Sequence, residues 1–481
     1  MSNHETDLSE TGTPWWQPVV FAAFAGGMAW GIRGQYGHET GAMIAGLLVS
    51  LVLVFLLAPR GTTSRQVVRA VAWGTVAMGF GGSMTYGQTV GLTHNAPVIG
   101  NSAALWWGML GLAIKGGIWI GFAGAFLGMG LAGVRYRVRE MLPLMLALVG
   151  VYFIGLFLLN KPFDPSNKAL PMLYFSADWR WEPDAADLKP RPECWGGLLF
   201  ALATVIVYAG AVRKDALAWR LGLWGVLGGA LGFPLGQCLQ AFHAWNREAF
   251  TQGLWAWLDP SMNWWNMMET TYGAIMGATL GLGLWLNRNR IRPVAVTDYI
   301  PAEVEAILLA IHLPLLLAVE FMALPAVDAL YDLGLIMGII PIVAVTRGRW
   351  WPYLAMLPVT LLPIAGKTVR QLVIREEAIN PVLGWAIYLI VPLLVVTAAA
   401  FWFARQAEAG QSARAFTRRA LILCTWVYFL LNFAFFHFPW PWLEWTGRTP
   451  NGIIFTICAF GLTVLALLAK RQEPSSPRHA L

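Results

Sequence analysis

The chain is organised around the stretch Gly31-Ile32-Arg33-Gly34-Gln35-Tyr36-Gly37-His38-Glu39-Thr40-Gly41. Two apolar runs, 16–30 and 42–58, flank it. Its glycines alternate with an Arg, a Gln, a Tyr, a His and a Glu, so the backbone can approach a ligand closely while polar side chains face it. Parts of this pattern recur twice later in the chain. The recurrence predicts a polar site inside a protein that is otherwise apolar.

Composition indicates the class of protein. Of the 481 residues, 57% are hydrophobic and only 12% are charged, whereas a soluble domain carries about 25% charge. Because a membrane-crossing helix needs roughly 20 apolar residues, the sequence predicts an all-α polytopic membrane protein with about 14 transmembrane helices. The predicted helices are 16–33, 42–58, 67–88, 104–133, 141–159, 195–212, 217–240, 263–286, 303–323, 329–346, 350–366, 381–404, 420–437 and 452–470.

Topology explains the net charge of +7 better than a nucleic-acid partner does. Most of the Lys and Arg residues follow the even-numbered predicted helices, as in 60–69, 135–139, 213–220 and 288–292. Positively charged loops usually face the cytoplasm. We therefore expect both termini in the cytoplasm and a cytoplasmic (inner) membrane location. The expected partners are the lipid bilayer and a small polar solute, no nucleic acid is expected, and homo-oligomer formation is left open.

Glycine content divides the chain into two parts. Most of the 50 glycines precede residue 291, and small residues let membrane helices approach each other closely. We predict a polar N-terminal tail over 1–15 and a Gly-rich transmembrane core of eight helices over 16–290. A C-terminal transmembrane bundle of six helices follows over 291–471, and a disordered tail over 472–481 ends the chain.

An internal repeat relates three predicted hairpins of the core. In each, a Gly-Gln pair ends one helix and a histidine follows in the next turn. The pairs are Gln35 with His38, Gln88 with His94, and Gln237 with His243. Under the predicted topology all six lie towards the outer side of the membrane. If the hairpins pack together, their polar groups converge in the outer half of the membrane.

Four charged residues at or near membrane depth complete the predicted site. Glu39 and Glu269 precede similar Gly-Ala segments, and Lys115 lies about 12 Å along its helix from Trp107. A charge at this depth costs roughly 3 kcal/mol, so Lys115 needs a partner, for which we expect Glu39 or Glu269. Such a pair either contacts a ligand or fixes helix register. Arg33 either binds an anion or extends to lipid head groups.

Other chemistries have weaker support in the sequence. The histidines and glutamates lack the tight local spacing of many zinc sites, and there is no phosphate-binding loop. We therefore predict no metal, no cofactor and no catalytic residue. The tryptophan pairs at 106–107 and 264–265 fit an interfacial belt, although aromatic platforms also bind substrates. Cys194 and Cys238, near the outer helix ends, are either unpaired or joined by a disulfide.

The function that this pattern predicts is a transporter or channel for a small polar or anionic solute. The predicted binding residues are Arg33, Gln35, His38, Glu39, Gln88, His94, Lys115, Gln237, His243 and Glu269. A membrane-embedded transferase, acting at the outer face on a lipid-linked or extracellular acceptor, is the first alternative. The second is a non-catalytic sensor or assembly subunit, in which the polar residues only hold helices together.

Overall fold

A computed structural model describes residues 12–34, 39–185, 188–294, 299–322, 324–330, 348–436 and 445–468. Helices account for the regular structure of these residues, apart from two isolated β-bridges. This agrees with the composition, because a helix satisfies its backbone hydrogen bonds within one segment, as the interior of a bilayer requires. The prediction of a helical membrane protein is confirmed.

Sixteen helices are labelled here in chain order. The first eight are α1 (Trp16–Arg33), α2 (Glu39–Leu57), α3 (Ser64–Phe80), α4 (Gly87–His94), α5 (Ser102–Leu131), α6 (Val138–Leu159), α7 (Trp195–Val212) and α8 (Ala216–Trp245). The others are α9 (Gly253–Leu258), α10 (Trp264–Leu286), α11 (Ala302–Met322), α12 (Pro325–Leu330), α13 (Trp351–Arg375), α14 (Pro381–Glu408), α15 (Ala413–Phe436) and α16 (Thr449–Leu468). The ends of α7 and α13 and an early turn of α14 are π-helical.

Nine helices within the described ranges are long and apolar enough to cross a membrane. They are α2, α5, α6, α7, α8, α11, α13, α14 and α16. Three more of the predicted spans overlap α1, α10 and α15, and a fourth overlaps α3 only in its first part. The predicted helix 329–346 falls almost entirely outside the described residues. The total of fourteen spans and the orientation of the termini therefore stay predictions.

The third predicted helix, 67–88, is wrong as a single segment. Helix α3 ends at Phe80, a 3-10 turn follows, and α4 begins only at Gly87. The backbone turns where Gly81 lies against the side chain of Trp119 on α5, and an added Cβ would collide with that ring. The break produces the short helix α4, which carries part of the site described below.

Six helices form a closed ring. Around the ring, α1 contacts α10, α10 contacts α8, α8 contacts α5, α5 contacts α3, α3 contacts α2, and α2 contacts α1. Glycines permit the tightest of these approaches. A Cβ on Gly273 would collide with the carbonyl of Gly26, and a Cβ on Gly229 with that of Gly116. Such small-residue contacts favour helix association in lipid, where burial of apolar surface drives little.

The remaining long helices surround this ring. Helices α6 and α7 pair with each other, and α7 contacts α5 and α8. Helix α16 contacts α1 and α15, and α13 and α15 both contact α2 and α3. The C-terminal helices thus pack directly on the α1–α3 side of the ring. One consequence is that Phe455 on α16 fills the space left beside Gly31 on α1.

Candidate functional site

A buried ion pair joins two helices of the ring at the end of α1. Arg33 is the last residue of α1, and Glu269 lies in the second turn of α10. Arg33 Nη2 is 3.1 Å from Glu269 Oε1, and both side chains are at most 2% exposed. Gly34 leaves room for this carboxylate, because a Cβ there would collide with Glu269 Oε2. Gly34 therefore forms part of the wall around the pair.

Three neutral donors also stabilise the Glu269 carboxylate. Tyr86 donates its hydroxyl to Oε1 at 3.3 Å, and Trp265 donates its indole N–H to the same oxygen at 3.1 Å. The amide of Asn266 donates to Oε2 at 3.4 Å and to the carbonyl of Gly31 at 2.6 Å. Hydrogen bonds of this kind favour an ionised carboxylate. They offset part of the cost of burying this carboxylate.

Aromatic rings enclose the guanidinium of Arg33. Its Cζ lies 5.2 Å from the ring centroid of Trp30, 5.4 Å from that of Tyr86 and 5.6 Å from that of Trp119. Arg33 also donates a hydrogen bond to the Tyr86 hydroxyl. A cation over aromatic faces gains about 2 kcal/mol when desolvated. The rings thus offset part of the cost of burying this charge.

A second arginine lies near the same carboxylate. Arg448, just before α16, is half-buried and interacts electrostatically with Glu269. Burial lowers the pKa of Arg448, and the negative charge of Glu269 acts in the opposite direction. An arginine keeps its charge in a protein at any ordinary pH. Arg448 is thus a second cation within electrostatic range of the Glu269 carboxylate.

Several buried polar atoms beside the ring interior have no hydrogen-bond partner among the described residues. They are Tyr272 Oη, Gln237 Oε1 and Asn266 Oδ1. Tyr272 stacks on Phe233 with ring centroids 4.5 Å apart and meets Trp30 edge-on. Buried polar atoms nearly always have a hydrogen-bond partner in native proteins. Each exception therefore indicates a bound water, a ligand or a functional role.

Lys115 forms a separate ion pair. Its Nζ is 2.6 Å from Glu193 Oε1, and both side chains are 1% exposed. Lys115 also donates to the carbonyl of Thr85 and to the hydroxyl of Thr89, each at 2.7 Å. The expectation of a buried partner for Lys115 is correct, but naming Glu39 or Glu269 was wrong. The partner comes from the segment just before α7, which also supplies Ser176 Oγ as a donor to Glu193.

The two ion pairs are linked through the connection between α3 and α4. Thr85 accepts from Lys115, and its neighbour Tyr86 contacts both Arg33 and Glu269. Farther along α4, Thr93 accepts a 2.6 Å hydrogen bond from the amide of Gln237 on α8. Helix α4 and the two residues before it therefore connect polar groups of α1, α5, α8 and α10. A shift of α4 would disturb all of them together.

The other predicted site residues occupy different positions. Gln88 binds the 160–194 loop, because its amide donates to Lys189 O at 3.0 Å and accepts from Arg191 N at 3.1 Å. His94 Nδ1 is 2.9 Å from Val90 O. His243 pairs instead with Asp259. Gln35 and His38 lie outside the described residues, as does the side chain of Glu39. The described predicted residues therefore do not all form one cluster.

The sequence interpretation missed several residues of the network, four of which carry its main contacts. They are Tyr86, Glu193, Asn266 and Arg448. One overlooked signal is a Tyr-Gly dipeptide that recurs at 36–37, 86–87 and 272–273. Tyr86 and Tyr272 are both buried. Another is the acidic Glu193 directly before an apolar run. Arg448 carries no comparable signal, since it resembles any loop arginine.

Tryptophans lie in two different environments. Trp30 and Trp119 are buried beside Arg33, whereas Trp106 is 70% exposed at the start of α5. Cys194 and Cys238 are free thiols. Among the described residues, no group of three or more His, Cys, Asp or Glu side chains is placed to hold a metal ion.

These features define a multi-pass helical membrane protein with two linked, buried ion pairs at one end of a six-helix ring. Comparison with protein-family models, with curated proteins and with solved structures finds no match to this chain. The function therefore has to be argued from the site alone.

Proposed function

We propose that this protein transports a small anionic solute across the membrane, with Arg33 as its central binding group. The observation that carries the proposal is the buried Arg33–Glu269 pair with Arg448 nearby. Ionisable residues at membrane depth are costly and commonly mark a substrate or ion pathway. An arginine presents a planar fork of donors that matches carboxylate and phosphate oxygens.

In this proposal the described arrangement is the closed state. Glu269 occupies the position beside Arg33 that a substrate anion would take. The substrate would displace this carboxylate and use the donors that now hold it, namely Tyr86, Trp265 and Asn266. The unpartnered Tyr272 hydroxyl would then find an acceptor. Protonation of the displaced Glu269 would couple transport to protons.

Uptake into proteoliposomes tests the proposal. The probes are radiolabelled acetate, pyruvate, succinate and inorganic phosphate, compared with protein-free vesicles. We expect at least one to enter with the wild-type protein. Arg33→Gln should reduce that uptake by roughly ten- to a hundredfold, since a hydrogen bond to a charged group contributes about 1.5–3 kcal/mol. Arg191→Gln removes an exposed positive charge from the 160–194 loop and is the control.

Two outcomes would overturn the transport proposal. One is that none of the four anions enters wild-type vesicles faster than protein-free ones. The other is that Arg33→Gln and Arg191→Gln transport equally well while both proteins remain folded by size-exclusion chromatography. The second outcome would favour the assembly-subunit alternative, in which the ion pairs only hold helices together.

One observation favours the transferase alternative. His243 Nε2 lies 2.9 Å from Asp259 Oδ1, with both side chains partly exposed. Trp264 stacks on the imidazole and donates its indole N–H to the same carboxylate oxygen at 2.6 Å. A histidine that a carboxylate orients is a common general base. A lipid species that accumulates with the wild-type protein but not with His243→Gln, by mass spectrometry of membrane extracts, would support a transferase; identical lipid profiles would contradict it.

A further inference from the structure

An open groove lies between α6 and α7, away from the ring interior. It has a volume of about 800 Å³. The two helices touch closely at one end, where a Cβ on Gly155 would collide with the carbonyl of Gly196. They leave the groove between their other ends, beside Pro143 of α6 and the π-helical turn Tyr208–Val212 of α7. The groove is thus a consequence of how these two helices diverge.

The walls of the groove are almost entirely apolar. Pro143, Ala147, Ala203 and Val207 are among the residues that line it. The lining hydroxyl of Thr204 is satisfied within its own helix by a 2.8 Å hydrogen bond to Phe200 O. Both helices are long and apolar enough to cross a membrane, so the groove opens towards lipid. Apart from Glu140, Thr204 and Tyr208, the lining side chains are apolar and match a hydrocarbon chain.

Basic residues adjoin the polar end of the groove, where Glu140 is the charged lining residue. Glu140 lines it, accepts from the backbone N–H of Arg137 and pairs with Arg213 at 3.4 Å. The Nε of Arg213 is buried without a hydrogen-bond partner in the described part of the chain. The exposed basic residues nearby in sequence are Arg135, Arg137, Arg139 and Lys214. The buried carboxyl of Asp215, which accepts a hydrogen bond from Tyr136, is a second acid beside Arg213. Because the basic residues outnumber these two acids, an anion is favoured there.

We propose that the groove binds an anionic phospholipid, with one acyl chain between α6 and α7 and the phosphate at Arg213 and its basic neighbours. Apolar depth and a basic rim on the same groove are the two features such a lipid needs. Basic pockets between membrane helices bind the head groups of anionic lipids, each nearby charge contributing about a fivefold change in affinity. This site is independent of the Arg33–Glu269 pair and of the proposed transport.

Native mass spectrometry of the purified full-length protein tests the inference. Delipidated protein is mixed with equimolar phosphatidylglycerol and phosphatidylcholine that carry identical acyl chains. We expect the wild-type protein to retain one phosphatidylglycerol in preference to phosphatidylcholine. Ala203→Trp fills the groove and should abolish this retention. Its matched control is Ala398→Trp, which adds the same bulk to an exposed position of α14.

The head-group contacts are tested by separate variants. Arg213→Gln should reduce the preference for phosphatidylglycerol about fivefold, as expected for the loss of one charge. Arg213→Gln also removes the partner of Glu140 and could therefore disturb folding. Lys214→Gln, at an exposed position, is a second variant without this risk and should also reduce the preference for phosphatidylglycerol. Equal retention of both lipids by the wild-type protein would overturn the proposal. So would unchanged lipid retention in Ala203→Trp.

Discussion

At the scale of single residues, the Lys115–Glu193 pair is almost fully compensated. The Lys115 ammonium has three acceptors, and Glu193 accepts from Ser176 Oγ and from the backbone N–H of Phe175. Loss of either partner would leave one buried charge without compensation. Buried pairs of this kind are sensitive to single substitutions even where the intact pair contributes little to stability.

The first prediction concerns this pair. We expect Lys115→Met to lower the free energy of unfolding by roughly 3–5 kcal/mol, because the Glu193 carboxylate is then buried alone. Lys115→Met combined with Glu193→Gln should recover a large part of that loss. The free energies are measured by unfolding in mixed micelles. A double variant that loses as much as the sum of both single variants would show that the two side chains do not interact.

How much of the site the sequence predicts depends on sequence separation. That Lys115 needs a buried partner follows from the cost of a charge in lipid. The identity of the partner does not follow. Glu193 lies in a long polar loop, and no pattern in the sequence indicates that this loop packs against α5. Arg33 and Glu269 were both predicted as site residues, but their direct contact depends on the close approach of α1 and α10.

At the scale of elements, glycine contacts hold the ring together. The second prediction is that Gly229→Ala destabilises the protein by about 1–3 kcal/mol, because its methyl group would force α8 away from Gly116 on α5. Gly150→Ala is the matched control, since an added Cβ at this exposed position of α6 meets nothing within 4 Å. The control should be neutral or gain up to about 1 kcal/mol from helix propensity.

Thermal unfolding in detergent compares these two variants directly. Equal behaviour of Gly229→Ala and Gly150→Ala would mean that α5 and α8 can separate without cost. That result would contradict a ring held by close backbone contact.

Helix α4 shows where a sequence pattern fails at this scale. The run 67–88 is apolar and Gly-rich, so hydropathy alone predicts one helix. The break after Phe80 falls on Gly81-Gly82-Ser83, a turn-favouring run that the hydropathy pattern overrides, and Gly81 lies there in close contact with Trp119. The start and end of most long helices, in contrast, follow directly from the length of each apolar run.

The third prediction concerns the contact between α4 and the 160–194 loop. Gln88→Ala removes both hydrogen bonds that attach Lys189 and Arg191 to α4. Each is worth about 1 kcal/mol, so we expect faster amide hydrogen exchange around residues 188–192 and little change in α5. Gln252→Ala is the control, because it truncates an exposed glutamine of another loop. Unchanged exchange in this segment would show that other contacts hold the loop.

At the scale of the whole molecule, polar groups are sorted between the two ends of the bundle. The ion pairs, α4 and the 160–194 loop lie at one end. At the other end, basic residues from different connections come together. Arg65, Arg69 and Arg349 all lie within 6 Å of the ring centroid of Tyr299, at 5.3, 5.9 and 5.2 Å. A basic end of this kind usually faces the cytoplasm.

The fourth prediction is therefore that the Arg33–Glu269 site lies towards the outer face. Single cysteines are introduced at Met172, in the 160–194 loop, and at Asn289, after α10, in a protein whose four native cysteines are replaced. Both positions are exposed. In intact cells a membrane-impermeant maleimide should label Met172→Cys only, and Asn289→Cys should react after permeabilisation. The reverse pattern would place the buried arginine nearer the cytoplasm, and a transporter would then meet its anion first from that side.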